Sequence, residues 1–415
     1  MPVTFDDIER AAEALDGQVV KTPALPAPKL SKLTGAEVYV KYENFQVTNS
    51  FKDRGAFIKL TSLDDEQKRI GVIAMSAGNH AQAAAYHAQR LEIPATIVMP
   101  ETTPFTKIEQ TKSYGANIEL KGETLDDCRT VTDRMIADKG FTLVHPYDDD
   151  HIIAGQGTVG LEMVAQVPEL DVIIGPIGGG GLMAGSAIAA KHVKPGIEMI
   201  GSEAELYPSM YHAVRGEQAK FGGQTLADGI AVKNVSDRTI SVCKELLGDI
   251  ILVNEPDIEQ AVDAYLALQK SSAEGAAAVP LAALMANRDR FRGRKVGLIL
   301  SGGNIDTRIL ASVLYRELER KQRIVNFRVQ INDRPGVLGM IACLLGDAGA
   351  NILEVSHRRM FLDTPAKGAE LDFMVETRDA HHAEEIIAKI EAQGFRVSLL
   401  DAPGGREAIR SPLAG

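Results

Sequence analysis

The sequence predicts an α/β protein with a smaller unit of mixed order at its C-terminal end, and three observations carry that expectation. Short β-rich runs alternate with segments of helical length up to about residue 305. Such alternation builds βα units and mostly parallel sheets covered on both faces. Beyond a connecting helix the pattern changes to a strand of period two and the order βαββαβ. Between these, the glycine run Gly178–Gly181 joins an apolar strand to a helix, the place where ligands gather on open α/β sheets.

Taken in order, Thr4–Leu15 has helical spacing. Thr22–Pro28 holds Pro23, Pro26 and Pro28, so it is read as a connector that can neither continue a helix nor form a central strand. Strands are expected at Val38–Lys41, Val72–Met75, Thr96–Met99, Asn117–Leu120, Val172–Gly175, Glu198–Gly201, Ile250–Val253 and Val296–Leu300. Helices are expected at Ala81–Arg90, Asp126–Ala137, Leu182–His192 and Ile258–Leu268. Ile305–Lys321 is long enough to connect two domains, which sets expected boundaries of 1–321 and 322–400.

In the second domain Val325, Phe327, Val329 and Ile331 alternate with polar residues, as in a half-buried strand. A helix from about Gly336 to Gly346, strands at Ile352–Met360 and Glu370–Glu376, a helix at Ala380–Ala392 and a strand at Phe395–Leu399 complete a ferredoxin-like unit. The tail Asp401–Gly415 is rich in Gly, Ala and Pro without periodicity, and is expected to be poorly ordered.

With 415 residues and 45% hydrophobic content the chain can build full cores. Its net charge of −11 argues against nucleic-acid and anionic-membrane partners, which select basic surfaces. Cys128, Cys243 and Cys343 are far apart with no Cys-x-x-Cys pair, so neither a disulfide framework nor a structural zinc site is indicated. Without a signal peptide or an apolar stretch of about 18 residues, a soluble cytoplasmic protein is expected.

Lys52, in Ser50-Phe51-Lys52-Asp53-Arg54-Gly55-Ala56, follows an aromatic residue at the mouth of an expected helix. A lysine condenses with a carbonyl only as the neutral amine, so such a site must lower its pKa by desolvation or nearby positive charge. The plainer reading is a solvated helix residue paired with Asp53 or Glu43. Successive glycines at 178, 179, 180 and 181 let backbone N–H groups converge at a helix start, a cradle for phosphate; a flexible structural turn has the same composition. Neither G-x-G-x-x-G nor a Gly-Lys-Ser/Thr ending is matched. Ser76-Ala77-Gly78-Asn79-His80 also follows a strand and opens a helix, fitting a carboxylate or an ordinary cap. Ser301, in Ser301-Gly302-Gly303-Asn304, offers a hydroxyl at the end of the last strand of the alternating region, or a common turn.

Together these four motifs, in order over roughly residues 5–320, resemble the fold-type II pyridoxal-phosphate enzymes, most closely the threonine dehydratase (threonine ammonia-lyase) family. The resemblance implies two open, mostly parallel α/β subdomains, the smaller spanning about 45–155 and inserted in the larger. It implies pyridoxal 5'-phosphate as cofactor, Lys52 as the Schiff-base lysine, Phe51 and Gly229 on the two ring faces, and Gly178–Gly181 on the phosphate. Asn79 would meet the phenolic oxygen, Ser301 the pyridine nitrogen, and Ser76–His80 the substrate carboxylate.

A neutral hydroxyl at Ser301 makes the ring a weaker electron sink than a carboxylate would, which favours β-elimination. The expected reaction converts L-threonine to 2-oxobutanoate and ammonia, with L-serine as a slower substrate. Another β-hydroxy amino acid such as 3-hydroxyaspartate, serine racemisation, or an inert amino-acid-binding regulator are the alternatives. Related serine racemases carry a serine where this chain has Ala77, so racemisation is expected to be weak. No metal is expected, because Glu203 is followed six positions later by Ser209 and not by an acid.

The C-terminal unit resembles an ACT domain through Asn332–Gly339 and Gly349–Ile352. The resemblance implies an amino-acid effector, isoleucine or valine, at Asp333, Pro335, Gly336, Val337, Leu338, Asn351 and Ile352. With one such unit per chain, an effector site would form between chains of a homodimer or homotetramer. A module that only dimerises is the alternative, and the family likeness allows both a catabolic role and one in isoleucine biosynthesis.

Overall fold

The computed structural model describes residues 3–359 and 368–400. It divides into one compact unit through Asp306 and a second from Thr307. The division falls ahead of the connecting helix, Thr307–Arg320, and not behind it as expected at 321. That helix is tied to the second unit by its own side chains: the Tyr315 hydroxyl donates to Met374 Sδ at 3.0 Å, and Glu319 accepts from Asn326 at 3.1 Å.

The first unit holds two parallel sheets. The larger runs in the order Ala24–Pro26, Glu37–Tyr42, Lys295–Leu300, Val172–Pro176, Glu198–Ala204, Asp249–Val253. All its pairings are parallel except the first, where Ala24 lies opposite Lys41 in an antiparallel edge pair. This edge strand lies within the segment expected to be a connector. Pro26 is tolerated there because an edge strand leaves one row of backbone donors unused.

The smaller sheet, Asn117–Leu120, Ala95–Met99, Val72–Met75, Thr142–Leu143, is parallel throughout, and its last short strand had no sequence signal of its own. The remaining strands of the unit fall within a few residues of expectation. Their apolar runs are buried on both faces, as Ile173, Ile174, Leu298 and Ile299 illustrate.

Several helices escaped the sequence reading, the two longest of them for one reason. Asp150–Gln166 and Gly275–Ala286 are buried almost all round, so neither shows the one-sided spacing that marks a surface helix. The first of them positions the site. A Cβ at Gly155 would stand 2.7 Å from Gly55 Cα, so the helix Lys52–Thr61 lies backbone against backbone on Asp150–Gln166. The expected helix Ile258–Leu268 is Glu255–Ala264, continued by a wider turn over Tyr265–Gln269.

The second unit is one antiparallel sheet, Asn351–Arg358, Gly368–Glu376, Ile324–Asn332, Arg396–Leu399, with helices Val337–Asp347 and Ala380–Ala392. Phe327, Val329, Leu371, Phe373, Ile341 and Ile386 form its core. The element order is the expected βαββαβ. Met360, placed in a strand by the sequence, and the tail 401–415 lie outside the described residues.

Candidate active site

A cleft of about 550 Å³ opens at the carboxyl ends of the parallel strands of the first unit. Lys52 begins its helix at the cleft floor, where its Nζ donates to the Pro146 carbonyl at 2.6 Å and lies 5.1 Å from the Phe51 ring centre. Burial of the amine pulls its pKa down to about 8, against an opposing pull from Glu274. Near neutral pH an appreciable share of the amine is therefore free base. Desolvation is what achieves this, and no neighbouring cation contributes.

The lysine is aimed by what lies behind it. Arg54 is fully buried and grips two carboxylates: Nε and Nη2 reach Glu43 at 2.8 Å each, while Nη1 and Nη2 reach Glu162 at 2.7 and 2.9 Å. Lys41 adds a second cation on Glu162 at 2.5 Å. Two cations thus meet two anions, with Thr158 and the Thr22 carbonyl as further partners. Asp53 accepts from the Thr48 N–H at 3.1 Å. The residues beside Lys52 are thereby held, and its side chain is left to face the cleft.

Gly178, Gly179, Gly180 and Gly181 line one wall of the cleft after the strand Val172–Pro176 and open the helix Gly181–Val193. Gly180 has φ +93°, which favours glycine, and a Cβ at Gly179 would stand 2.1 Å from the Tyr147 ring. The turn is closed to side chains, while the first N–H groups of the helix have no intrahelical partner. Backbone donors and the helix field together suit a phosphate.

On another wall Ser76, Ala77, Gly78, Asn79 and His80 follow the strand Val72–Met75 and begin the helix Asn79–Arg90. The cap residue, Gly78, makes no side-chain cap bond, which leaves the helix donors free for an anion. His80 Nε2 is 2.7 Å from the Val144 carbonyl and so carries the proton. Its Nδ1 is buried without a partner among the described residues, and burial together with the charge on Lys52 drives its pKa down to about 3. His80 is a neutral ring here. His145 is likewise lowered, to about 4, chiefly by burial.

Ser301, 2% exposed, ends the strand Lys295–Leu300, and its carbonyl accepts from the Phe51 N–H at 3.0 Å. Gly229 lines the cleft from the short turn Asp228–Ile230. Every residue that the sequence suggested for cofactor and substrate thus faces one cleft, although the motifs are separated by up to some 250 positions.

Sequence reasoning passed over Pro146, whose carbonyl holds Lys52, and Tyr147, whose ring closes the glycine turn. It also passed over Glu274, which accepts from Asn79 Nδ2 at 2.7 Å. A lone acid ahead of the apolar run Gly275–Ala286 was the one available signal for Glu274.

Glu203 is buried and accepts from the N–H groups of Met210 and Tyr211 at 2.8 Å each, so both its oxygens are engaged in capping a turn. Among the described residues no group of three or more His, Cys, Asp or Glu side chains could hold a metal ion. No helix among them is long and apolar enough to cross a membrane.

In the second unit the residues suggested for an effector do not converge. Asp333, Pro335, Gly336, Val337 and Leu338 follow the end of the strand Ile324–Asn332, where Asn332 pairs with Gly368. Asn351 and Ile352 begin their strand at the other end of the sheet, where Asn351 lies opposite Glu376. Among the described residues, the Arg359 guanidinium lies 3.2 Å from Asp333 and the His357 ring 3.9 Å from it.

The family comparisons agree with this geometry. A family model described as "Pyridoxal-phosphate dependent enzyme" matches residues 15–302, and one described as "ACT domain" matches residues 325–395. An L-threonine ammonia-lyase of Thermotoga maritima is 40% identical over 400 residues, covering 96% of this chain and all of that protein. Among solved structures, the processed form of threonine deaminase isoform 2 from Solanum lycopersicum has a TM-score of 0.71 at 33% identity, covering 76% of this chain and 90% of that one. Serine racemase from Dictyostelium discoideum has a TM-score of 0.69 at 37% identity, covering 73% of this chain and 99% of that one.

The chain belongs to the pyridoxal-phosphate dependent enzymes, with a C-terminal ACT domain. The cleft fits that cofactor: it offers a partly neutral amine at the floor and, on one wall, a backbone cradle that side chains cannot enter.

Proposed function

We propose that the protein is an L-threonine ammonia-lyase, which removes the β-hydroxyl and the amino group of L-threonine to yield 2-oxobutanoate and ammonia. L-serine is a slower substrate. The observation that carries this reading is a buried, partly neutral Lys52 in a cleft whose strand-end group is the hydroxyl of Ser301 and not a carboxylate. When bound, pyridoxal phosphate supplies the electron sink that makes the α-proton of an amino acid labile.

Lys52 would anchor the cofactor, and its Nζ is the group that would take the α-proton. Phe51 and Gly229 would flank the ring, Gly178–Gly181 would hold the phosphate, Asn79 would meet the phenolic oxygen, and Ser301 the ring nitrogen. The donors of Ser76–His80 orient the substrate carboxylate. Ser301 offers a neutral hydroxyl and would not support positive charge on the ring as a carboxylate would, which favours a reaction in which loss of the β-hydroxyl follows removal of the α-proton at once. Overall, loss of water and hydrolytic release of ammonia balance, leaving the 2-oxo acid.

Serine racemisation is the second reading, given the likeness to a serine racemase. Ala77 weighs against it, since a methyl group has no proton to deliver to the opposite face of the α-carbon. Dehydration of another β-hydroxy amino acid such as 3-hydroxyaspartate would use the same residues. The ACT domain supports regulation by an amino acid, isoleucine or valine, at a site completed by a second chain of a homodimer or homotetramer in the cytoplasm.

The test is to follow 2-oxo acid from L-threonine, L-serine and 3-hydroxyaspartate, with chiral analysis of residual serine. Lys52→Ala is expected to lower turnover by at least about 10³-fold and to remove the visible absorbance of bound cofactor. Retention of both would sink the proposal.

A further inference from the structure

Glu274 lies in the cleft wall, 6% exposed, and none of the roles above uses it. It occupies the cap position of the helix Gly275–Ala286, where an acid ordinarily accepts from the helix N–H groups, yet its side chain makes no such bond. It turns instead to Asn79, accepting from Nδ2 at 2.7 Å. The other end of that amide is also engaged: Asn79 Oδ1 accepts from Asn304 Nδ2 at 2.8 Å, and Asn304 Nδ2 also donates to the Thr48 carbonyl at 2.8 Å. Glu274 and Asn304 therefore fix which way the Asn79 amide points.

The chain makes room for this arrangement at two glycines. A Cβ at Gly302 would stand 2.5 Å from Glu274 Oε1, and one at Gly275 would stand 2.1 Å from the Leu226 carbonyl oxygen. The Glu274 N–H also donates to the Gly302 carbonyl at 3.2 Å. Among the described residues no cation pairs with the carboxylate within 4.0 Å, so its charge is not cancelled by contact.

The charged groups that face it are Asp228 from its turn, Lys107 from the helix Phe105–Ser113, and Lys52, with Asp228 and Lys107 paired to each other at 2.9 Å. Burial, followed by repulsion from Asp228, raises the Glu274 carboxyl to about 7, while Asn79 and the two lysines pull the other way. A buried carboxyl without a paired cation is cheaper to keep neutral than charged.

We propose that Glu274 is a positioning residue, one that holds the Asn79 amide toward the cofactor's phenolic oxygen and passes the state of its own proton to that edge of the ring. This rests on the role given above to Asn79. With its proton the carboxyl would be uncharged, and without it a negative charge would stand next to the Asn79 donor and would oppose negative charge on the phenolic oxygen.

The experiment is a spectrophotometric pH titration of the full chain loaded with pyridoxal phosphate, for the unaltered protein, Glu274→Gln and Glu274→Ala, with the dissociation constant for the cofactor measured beside it. The unaltered protein is expected to show an absorbance inflection near pH 7. Glu274→Gln keeps an acceptor for Asn79 and loses the proton, so the inflection should vanish while cofactor affinity stays within about twofold. Glu274→Ala also loses the acceptor, and affinity should fall about tenfold.

A Glu274→Gln protein that keeps the inflection, or a Glu274→Ala protein with unaltered affinity, overturns the inference. Failure of the unaltered protein to acquire any cofactor absorbance breaks the reading of the cleft itself, and this inference with it.

Discussion

Two glycines in this chain adopt nearly the same backbone conformation in different surroundings. Gly180 has φ +93° and Gly336 has φ +88°; each caps a helix of more than ten residues, and neither cap makes a side-chain bond. Around Gly180 the protein is dense, with Met210 and Thr239 atoms 2.6 and 2.9 Å from where a Cβ would stand. Around Gly336 none of the described residues lies within 4 Å of that point, and Asp333 through Gly336 are exposed. Local sequence can write the same donor-presenting turn twice, but only packing turns it into an enclosed site. The first turn belongs to a cleft completed inside one chain, and the second presents its donors to whatever surface meets it.

The contrast breaks most severely if the framework behind the cleft is removed. Arg54→Met leaves Glu43 and Glu162 with Lys41 as their one remaining cation in the buried cluster, and uncompensated buried charge is expected to cost about 3–5 kcal/mol of unfolding free energy. Denaturant titration checks this, and a loss below about 1 kcal/mol would mean that the cluster is not what holds the Lys52 helix. Next in size is Gly179→Ala, which forces the Tyr147 ring off the glycine turn. Its hydroxyl is anchored to the Asn234 carbonyl at 2.7 Å, so the ring cannot yield freely. Affinity for pyridoxal phosphate should fall about 100-fold, equivalent to roughly 3 kcal/mol, as read by absorbance titration.

How much of this was legible beforehand follows from the range of each signal. Both glycine turns and Ser301 lie within a few residues of a strand end, whereas Lys52 stands ten residues beyond Tyr42, and it was the motifs taken together that marked it. Most strands of the first unit were also readable, because Val, Ile and Leu runs buried on both faces need no partner to be recognised. The helices Asp150–Gln166 and Gly275–Ala286 were not, since burial all round erases the periodicity that reveals a helix. Glu274 is the sharpest case. Its neighbours Gly302 and Asn79 are far away in sequence, and nothing local distinguishes it from an ordinary helix cap. In the second unit strand direction puts Asn351 and Asp333 at opposite ends of one chain's sheet, and the effector site expected there was one formed between chains.

The enclosure of the cleft also sets a pH dependence. Burial holds the Lys52 amine at about 8, below its ordinary value of 10.5, so the folded protein gives up this proton more readily than a solvated lysine does. Capture of pyridoxal phosphate by the cofactor-free protein requires the neutral amine, whose fraction rises about tenfold per pH unit well below that value and levels off above it. Stopped-flow measurement of the rise in visible absorbance between pH 6 and 9 should therefore show a steep limb that flattens near pH 8. A limb still rising at full slope at pH 9 would mean that the cleft does not desolvate its lysine.

The smallest effect belongs to the open turn. Gly336→Ala meets no steric obstacle, so its cost is the positive φ alone, about 1 kcal/mol. Turnover of L-threonine without effector should be unchanged, because the substitution touches no residue of the cleft. Response to isoleucine or valine should change if the turn offers its N–H groups to an effector carboxylate, since the added strain bears on those donors. Because the turn is open, any such response should also depend on assembly. Dilution that separates the chains, followed by light scattering, should abolish the response in the unaltered protein while leaving basal turnover in place. A response that survived in the separated chain would mean that one chain closes the site by itself, and the contrast between the two glycine turns would then lose its meaning.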